Sequence, residues 1–437
     1  MDDLKQLARD VLVQAQAAGA SAAETEISLG FGQSVTVRLN EVETIEYNRD
    51  KGMSITVYFG QRRGHASTSD LAPQAVSDSV AAACSIARYT AEDSFCGLAE
   101  PALLAKHIPA LDLYHPWDVS VDQAIALARQ CESAAFATDE RIRNSEGASV
   151  SAHEGIFVYA NSNGFCEGYP SSRQSLSCSV IAGEGDSMQR DYWYSTARNS
   201  GDMENAEVVG RKAGERTVRR LNARQLKTRQ VPVLFEPSLA SGLLSHFVSA
   251  ISGGNLYRKS SFLLDALGTQ VFSPFINLRE LPHLPKGLAS SPFDNEGVTT
   301  QSRDLVKDGV LQGYMLSSYS ARKLGMQTTG NAGGNHNLVL ESGELDFAGM
   351  LKKMGTGLVI TELLGHGINT VTGDYSRGAA GFWVEGGEVC YPVEEITVAG
   401  NLKEMFQQVV AVGSDVMVQG SKQCGSILIE RMTVAGE

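Results

Sequence analysis

Val231-Pro232-Val233-Leu234-Phe235, followed by Ser245-His246-Phe247-Val248-Ser249-Ala250, decides how this chain is read. The first stretch is a short apolar, β-branched run and reads as a strand. The second is apolar and compatible with a helix. A helical zinc site needs neutral imidazoles on one face and a nearby glutamate to take a proton from metal-bound water. This segment has one imidazole and no carboxylate, so it lacks such a ligand set.

Working outward, this strand and helix open a glycine-rich, strand-rich domain over 229–437. Asp308-Gly309 and Glu385-Gly386-Gly387-Glu388 read as tight hairpin turns between alternating strands. A weak echo links Glu394-Glu395-Ile396-Thr397-Val398-Ala399-Gly400 with Glu430-Arg431-Met432-Thr433-Val434-Ala435-Gly436. Two similar strands of one sheet explain the echo better than a functional repeat.

Upstream, a middle domain spans 119–225. Its first helix starts at Ser120, three residues before Gln123, which is capping-box spacing. Hairpin-like strands turn at Asn161-Ser162-Asn163-Gly164 and at Gly183-Glu184-Gly185-Asp186, and a helix over about 205–221 ends the unit. An irregular, proline-bearing linker covers 94–118. The N-terminal domain, 1–93, opens with a helix whose apolar face carries Leu4, Leu7, Val11 and Leu12. Strands follow at 35–39, 43–47 and 55–59, the last beyond a turn at Arg49-Asp50-Lys51-Gly52, and a helix over about 73–89 closes the unit. The fold class is therefore α+β: N-terminal and middle α/β units with antiparallel strands, then a large strand-rich, barrel-like C-terminal domain.

The chain has 437 residues, enough for two or three domains with substantial cores. A net charge of −13 argues against sequence-independent binding to nucleic acid. Met1-Asp2-Asp3-Leu4 opens a charged amphipathic helix instead of an apolar signal run. No stretch reaches the roughly 18 apolar residues of a membrane helix. Seven scattered cysteines without a C-x-x-C pair indicate neither a zinc ribbon nor a disulfide framework. A reduced, cytoplasmic location is expected.

Motif searches return little chemistry: no nucleophile elbow, phosphate loop or dinucleotide fingerprint is present. His153-Glu154 begins like a zincin, but Phe157 stands where the second histidine belongs. Glu362 and His366, four apart, would share a helix face and offer two metal ligands. An ordinary polar helix end explains them better. His246, among Leu243, Leu244, Phe247 and Val248, reads as a core histidine. The basic run Arg211, Lys212, Arg216, Arg219, Arg220, Arg224, Lys227 and Arg229 contains one acid, Glu215, and no interleaved aromatics. It reads as a solvated helix face or a contact with an acidic partner.

Three polar loops remain as peptide-binding candidates. They supply Asn255, Tyr257, Arg258 and Lys259; then Asn331 and Asn335; then Asp374, Tyr375 and Arg377. Glycines in each loop let backbone approach a ligand closely, while these side chains supply polar groups. Tight turns with ordinary polar caps are the alternative.

At these residues the chain resembles the TldD/PmbA family of peptidases, and most closely its TldE (PmbA) branch. The resemblance spans nearly the whole length. Its most specific pieces lie at 254–260, at Gly287-Leu288-Ala289-Ser290-Ser291-Pro292-Phe293-Asp294, at 318–325, and at 372–383. The resemblance implies a two-subunit zinc peptidase in which the TldD subunit carries H-E-x-x-x-H on the central helix plus a downstream cysteine ligand. Placed on this chain, that motif puts Ser245 at the first histidine, His246 at the glutamate and Ala250 at the second histidine. Cys424 does not inherit the cysteine's role, because its surroundings depart from the motif. Residues five apart on a regular helix are about 140° out of phase, so the family's zinc helix must be distorted.

The expectation is thus a non-catalytic subunit without cofactor or metal of its own. It would pair with a TldD-like zinc subunit and help hold unstructured peptides for degradation or maturation. It could form a homodimer when alone, and it engages neither nucleic acid nor membrane. Two other readings stay open. One is an independently active hydrolase built on a site such as Glu362, His366 and a cysteine. The other is a regulatory binding protein of a nucleic-acid enzyme.

Overall fold

The computed structural model describes residues 1–436. Helix α1 (Asp2–Ala17) buries Ala8, Val11 and Ala15, with Leu4, Leu7 and Leu12 packed at the margin. Two long strands follow, β1 (Ala22–Arg38) and β2 (Glu41–Phe59), then β3 (Arg62–Thr68) and α2 (Pro73–Tyr89). The next segment runs α3 (Val121–Phe136), β4 (Ile142–Asn161), β5 (Cys166–Ala182), β6 (Gln189–Ala197) and α4 (Ala206–Arg219). The capping box at Ser120 and Gln123 is formed with both hydrogen bonds.

These six strands make one sheet in the order β3-β2-β1-β4-β5-β6. The first and second segments join where β1 pairs with β4, from Glu24 opposite Asn161 to Val37 opposite Ala148. Odd-numbered residues of β1 share one face by strand alternation. At one end that face carries Ile27, under α1 and α2. At the other it carries Val35 and Val37, under α3 and α4.

One expected turn is absent. At Arg49-Asp50-Lys51-Gly52 the strand β2 continues without a break, Gly52 lying opposite Ser28. The long partner β1 supplies a ladder there, and that pairing overrides the local turn signal. The reversal lies instead at Leu39 and Asn40, with φ of 51° and 65°. Such a turn needs left-handed backbone at both residues, a conformation that a leucine resists. Buried Glu132 of α3 offsets this. Its carboxylate accepts the backbone N–H of Leu39 at 2.8 Å and of Asn40 at 2.7 Å. Glu132→Ala should lower stability by about 2–3 kcal/mol, since two charge-assisted bonds to turn amides are lost. Urea unfolding measures this, and an unchanged midpoint would show that the turn forms without it.

The linker of residues 94–118 is a packed strap. It holds one 3-10 turn, Pro101–Leu103. Ala105 donates its N–H to the Gly297 carbonyl, and Leu103 accepts from Thr299. Arg322 adds hydrogen bonds to the carbonyls of Phe95, Gly97 and Leu98.

The C-terminal segment begins with β7 (Arg229–Phe235), α5 (Pro237–Ala250), α6 (Gly253–Tyr257), β8 (Leu278–Glu280), β9 (Arg303–Lys307) and β10 (Val310–Leu311). It continues with α7 (Ser318–Leu324), β11 (Leu338–Leu340), α8 (Phe347–Met354), β12 (Gly357–Leu364), β13 (Asp374–Glu385) and β14 (Glu388–Asn401). Last come α9 (Leu402–Gln407), β15 (Val409–Val412), β16 (Met417–Val418), β17 (Lys422–Cys424) and β18 (Ile427–Ala435). A small sheet has the order β10-β9-β8-β11-β17-β16, and a large one β14-β13-β12-β7-β18-β15.

The large sheet closes on itself, because β14 also pairs with β18: Thr397 opposite Ala435, Val398 opposite Val434, Ala399 opposite Thr433. These are the two segments of the sequence echo, now seen as neighbouring strands. Val233 and Phe235 of β7 pack with α5, while Leu234 between them packs with α8. The protein is thus α+β, with antiparallel sheets and a closed, barrel-like sheet in its C-terminal part.

Candidate functional site

Helix α5 sets the site. Pro237 occupies its first turn, and Glu236 is its N-cap residue. Its apolar side, Ala240, Leu243, Leu244, Phe247 and Ala250, is buried in the barrel-side core. The helix is regular throughout 237–250, with no π-helical turn. Residues 245 and 250 therefore point apart by about 140°. Ser245 donates to the Ser241 carbonyl at 3.1 Å and lines a surface cavity. Ala250 is 1% exposed, packed in the core. His246 meets the ring of Tyr375 edge-on at 6.0 Å. Burial, and then the charge of Arg377, hold its imidazole below the usual histidine range, so it is neutral near neutral pH.

This donor set does not fit zinc. Serine and alanine are not ligands for it, and His246 is a single imidazole turned toward an aromatic ring. Cys424 lies beside the first turn of α5, its thiol 3.9 Å from the Pro237 carbonyl. Burial pushes that thiol up to about 12, with Asp415 adding to the shift, which disfavours the thiolate a metal requires. Among the described residues no three His, Cys, Asp or Glu side chains form a metal-holding group.

The other metal candidates fall to geometry. Glu362 and His366 do not share a helix. Glu362 is in strand β12, and the chain turns at Gly365 (φ 75°) before His366. Pairing with β13 draws Glu362 into the sheet, its carboxylate bound by Arg220, while His366 lies beyond the end of β12. His153 and Glu154 are also on a strand, β4, where Glu154 accepts the Tyr114 hydroxyl.

Above the N-terminal half of α5 lies a cleft between the six-stranded sheet and the barrel. One lobe, of about 240 Å³, is lined by Ser238, Ser241 and Ser245 on one side and by Tyr194, Met417, Gln419 and Lys422 on the other. A second, of about 410 Å³, includes Asp191, Trp193, Arg216, Glu236, Thr361 and Phe382. The Thr361 hydroxyl is buried without a hydrogen-bond partner among the described residues. Strand β6, which lines both lobes, is the edge strand of its sheet. Its Tyr192 and Tyr194 rings stack with centroids 6.3 Å apart.

The cleft is braced by part of the basic run: Arg216 and Arg220 are half-buried and paired inward, while Arg211, Arg219, Arg224 and Lys227 stay exposed. Arg216 pairs with Asp191 (3.3 Å) and Glu236 (2.7 Å), and Arg220 with Asp191 (3.7 Å) and Glu362. Arg219, Arg224 and Arg229 lie over the rings of Phe382, Tyr391 and Trp383. Their acidic and aromatic partners come from distant sequence. Burial raises the Glu236 carboxyl above the ordinary range, against the pull of Arg216. The cleft residues Asp191, Trp193 and Tyr194 were not indicated by sequence. Their one local signal is the aromatic cluster Tyr192-Trp193-Tyr194.

The nine peptide-binding candidates are placed variously. Asn255 anchors its loop, its amide donating to the Ser249 carbonyl at 2.8 Å. Tyr257 packs edge-on against Tyr319, and the exposed Arg258 lies over Tyr257. Lys259 is exposed with φ of 57°. Asn331 is buried in a network with Glu280, Arg303 and Thr329. Asn335 donates to the His336 carbonyl. Asp374 is exposed and accepts from Thr372 and Asn401. Tyr375 is buried, and Arg377 is half-buried. The first and third loops are tied together where Phe262 donates its N–H to the Thr370 carbonyl. The second is fixed to β8 through Glu280.

Comparison with known proteins gives a consistent result. Three family models match in succession: PmbA/TldA metallopeptidase domain 1 at residues 23–87, the central domain at 114–221 and the C-terminal domain at 228–436. The chain is 52% identical to metalloprotease PmbA of Escherichia coli O157:H7, covering 95% of this chain and 92% of the other. It is 49% identical to a PmbA homolog of Haemophilus influenzae, covering 99% and 96%. A crystal structure from Bacteroides thetaiotaomicron, described as a candidate modulator of DNA gyrase, superposes with a TM-score of 0.95 at 30% identity over all of both chains. TldE from Thermococcus kodakarensis shares the fold, with a TM-score of 0.87 at 21% identity over 98% of this chain and 100% of the other.

Proposed function

The chain belongs to the PmbA/TldD metallopeptidase family, and from that premise we propose that it is the non-catalytic, peptide-holding subunit of a TldD/TldE-type zinc peptidase. One observation carries this reading. In an otherwise intact family fold, the helix on which the motif falls is regular and carries Ser245, His246 and Ala250. Zinc and the water-activating base would then belong to a TldD-like partner. This chain would enclose the substrate and hold it extended.

The cleft beside α5 suits that task. An unfolded peptide can add to the edge of β6 through main-chain hydrogen bonds, with Tyr192 and Tyr194 flanking it. Backbone recognition of this kind selects for extension more than for side chains. The glycine-bearing loops around Tyr257, Arg258 and Arg377 are further contact candidates. No helix of the described residues is long and apolar enough to cross a membrane, and within the basic run Arg216 and Arg220 are held by acidic partners of the chain itself.

The test is a metal count and a peptidase assay, on the purified chain alone and after mixing with a TldD-like subunit. The chain alone should hold less than about a tenth of an equivalent of zinc and cleave no unfolded peptide, whereas the mixture should hold zinc and cleave the peptide. Stoichiometric zinc, or robust cleavage by this chain without a partner, would overturn the assignment.

A further inference from the structure

Strand β17 turns one lysine into the cleft. Lys422 and Cys424, two apart, share a face of the strand by its alternation. The Cys424 thiol lies beside the first turn of α5, near the Pro237 carbonyl, so Lys422 faces the same helix. There it lines the lobe of about 240 Å³ together with Ser241 and Ser245 of α5. Among the described residues it is the only charged group in that lining.

The charge is uncompensated. Among the described residues Lys422 makes no ion pair, and its side-chain hydrogen bond to the Ser421 hydroxyl is long, at 3.4 Å. Burial holds its ammonium below the ordinary lysine range, and the Cys424 thiol offsets this only in part. Arg216 and Arg220, the half-buried arginines of the same cleft, are by contrast each held by two carboxylates. A half-buried cation without an acid is costly until an opposite charge is brought to it. Space for one is present, since no atom comes within 4 Å of where a Cβ on the neighbouring Gly420 would stand. The lobe also reaches the sheet edge: Tyr194 of β6 lines it, and Gln419 of the same loop donates to the Tyr194 carbonyl at 2.9 Å.

We propose that this lobe is a carboxylate-binding site, in which Lys422 pairs with an acidic group of the held peptide and so sets the peptide's register along β6. The acid is the peptide's C-terminal end or a Glu or Asp side chain, and the Ser421 hydroxyl is placed to donate to it as well. The proposal deepens the peptide-holding role and rests on it.

Calorimetric titration of the full chain with N-acetylated hexapeptides that carry no other charge tests it. Three forms are compared: the C-terminal acid, the C-terminal amide, and the amide with one internal Glu. At least one carboxylate form should bind about tenfold or more tighter than the plain amide, and which one does so identifies the source of the acid. Lys422→Gln should bring that form down to the affinity of the amide while leaving the amide unchanged, which a merely unfolded variant would not do. Carbodiimide coupling, mapped by mass spectrometry, should join the bound peptide to Lys422 in preference to exposed lysines. Equal binding of all three forms, or a carboxylate preference that survives Lys422→Gln, would overturn the site and leave the holding role standing. No binding of any form would overturn the holding role and the site with it.

Discussion

Arg216→Met should lower the stability of the chain by about 3–5 kcal/mol, the loss typical when one member of a buried ion pair is removed. Arg216 has a side chain 20% exposed between Asp191 and Glu236, whose side chains are 6% and 11% exposed. Without it, Glu236 keeps only the Ser238 hydroxyl as a side-chain donor. The loss should depend on pH, with a definite sign. The Glu236 carboxyl is already raised in the folded state by burial. In the variant it rises further, so the contribution is favourable below the unfolded carboxylate range and is lost as pH increases through the folded value. The deficit should be larger at pH 8 than at pH 5. Urea denaturation at both values measures it, and adding Glu236→Gln should restore part of the loss. A deficit below about 1 kcal/mol at both pH values would show the pairs to be dispensable.

Restoring the family motif should fail. Ser245→His, His246→Glu and Ala250→His together supply the expected ligand types, yet the regular helix directs residues 245 and 250 about 140° apart. The imidazole at 250 would enter a site where alanine is 1% exposed. Overpacking there should cost about 1–3 kcal/mol, with further loss from the buried polar ring. The variant should bind well under one zinc per chain and melt earlier than the native protein. Metal analysis and calorimetry read both. One tightly held zinc per chain would mean that the helix can adopt the distortion the motif requires.

Local signals in the sequence were good guides where the structure depends on neighbours. The helix over 73–89, the capping box at Ser120 and the hairpin reversals at Asp308-Gly309 and Gly386-Gly387 all formed. They failed where distant pairing decides. Asp50-Lys51-Gly52 has turn composition but lies opposite β1. Glu362 and His366 have helical spacing, but Glu362 is paired in β12 against β13 and His366 lies past the strand's end. The identity of the α5 positions was legible from the motif, while the cleft above them was not. Asp191, Glu236 and Glu362 are far apart in sequence, and only folding gathers them around Arg216 and Arg220. The arginines looked like a surface stripe because their partners Phe382, Trp383 and Tyr391 lie well over a hundred residues downstream.

The pairing of β14 with β18 also bears on the timing of synthesis. Strand β7 lies between β12 and β18, so it has both neighbours only after residues 427–435 leave the ribosome. Until then α5 and the apolar face of β7 lack part of the wall that covers them. The six-stranded sheet uses only residues before 200 and can form earlier during translation. The nascent chain therefore carries a folded front half while its later half waits, a period in which exposed strands are open to wrong partners.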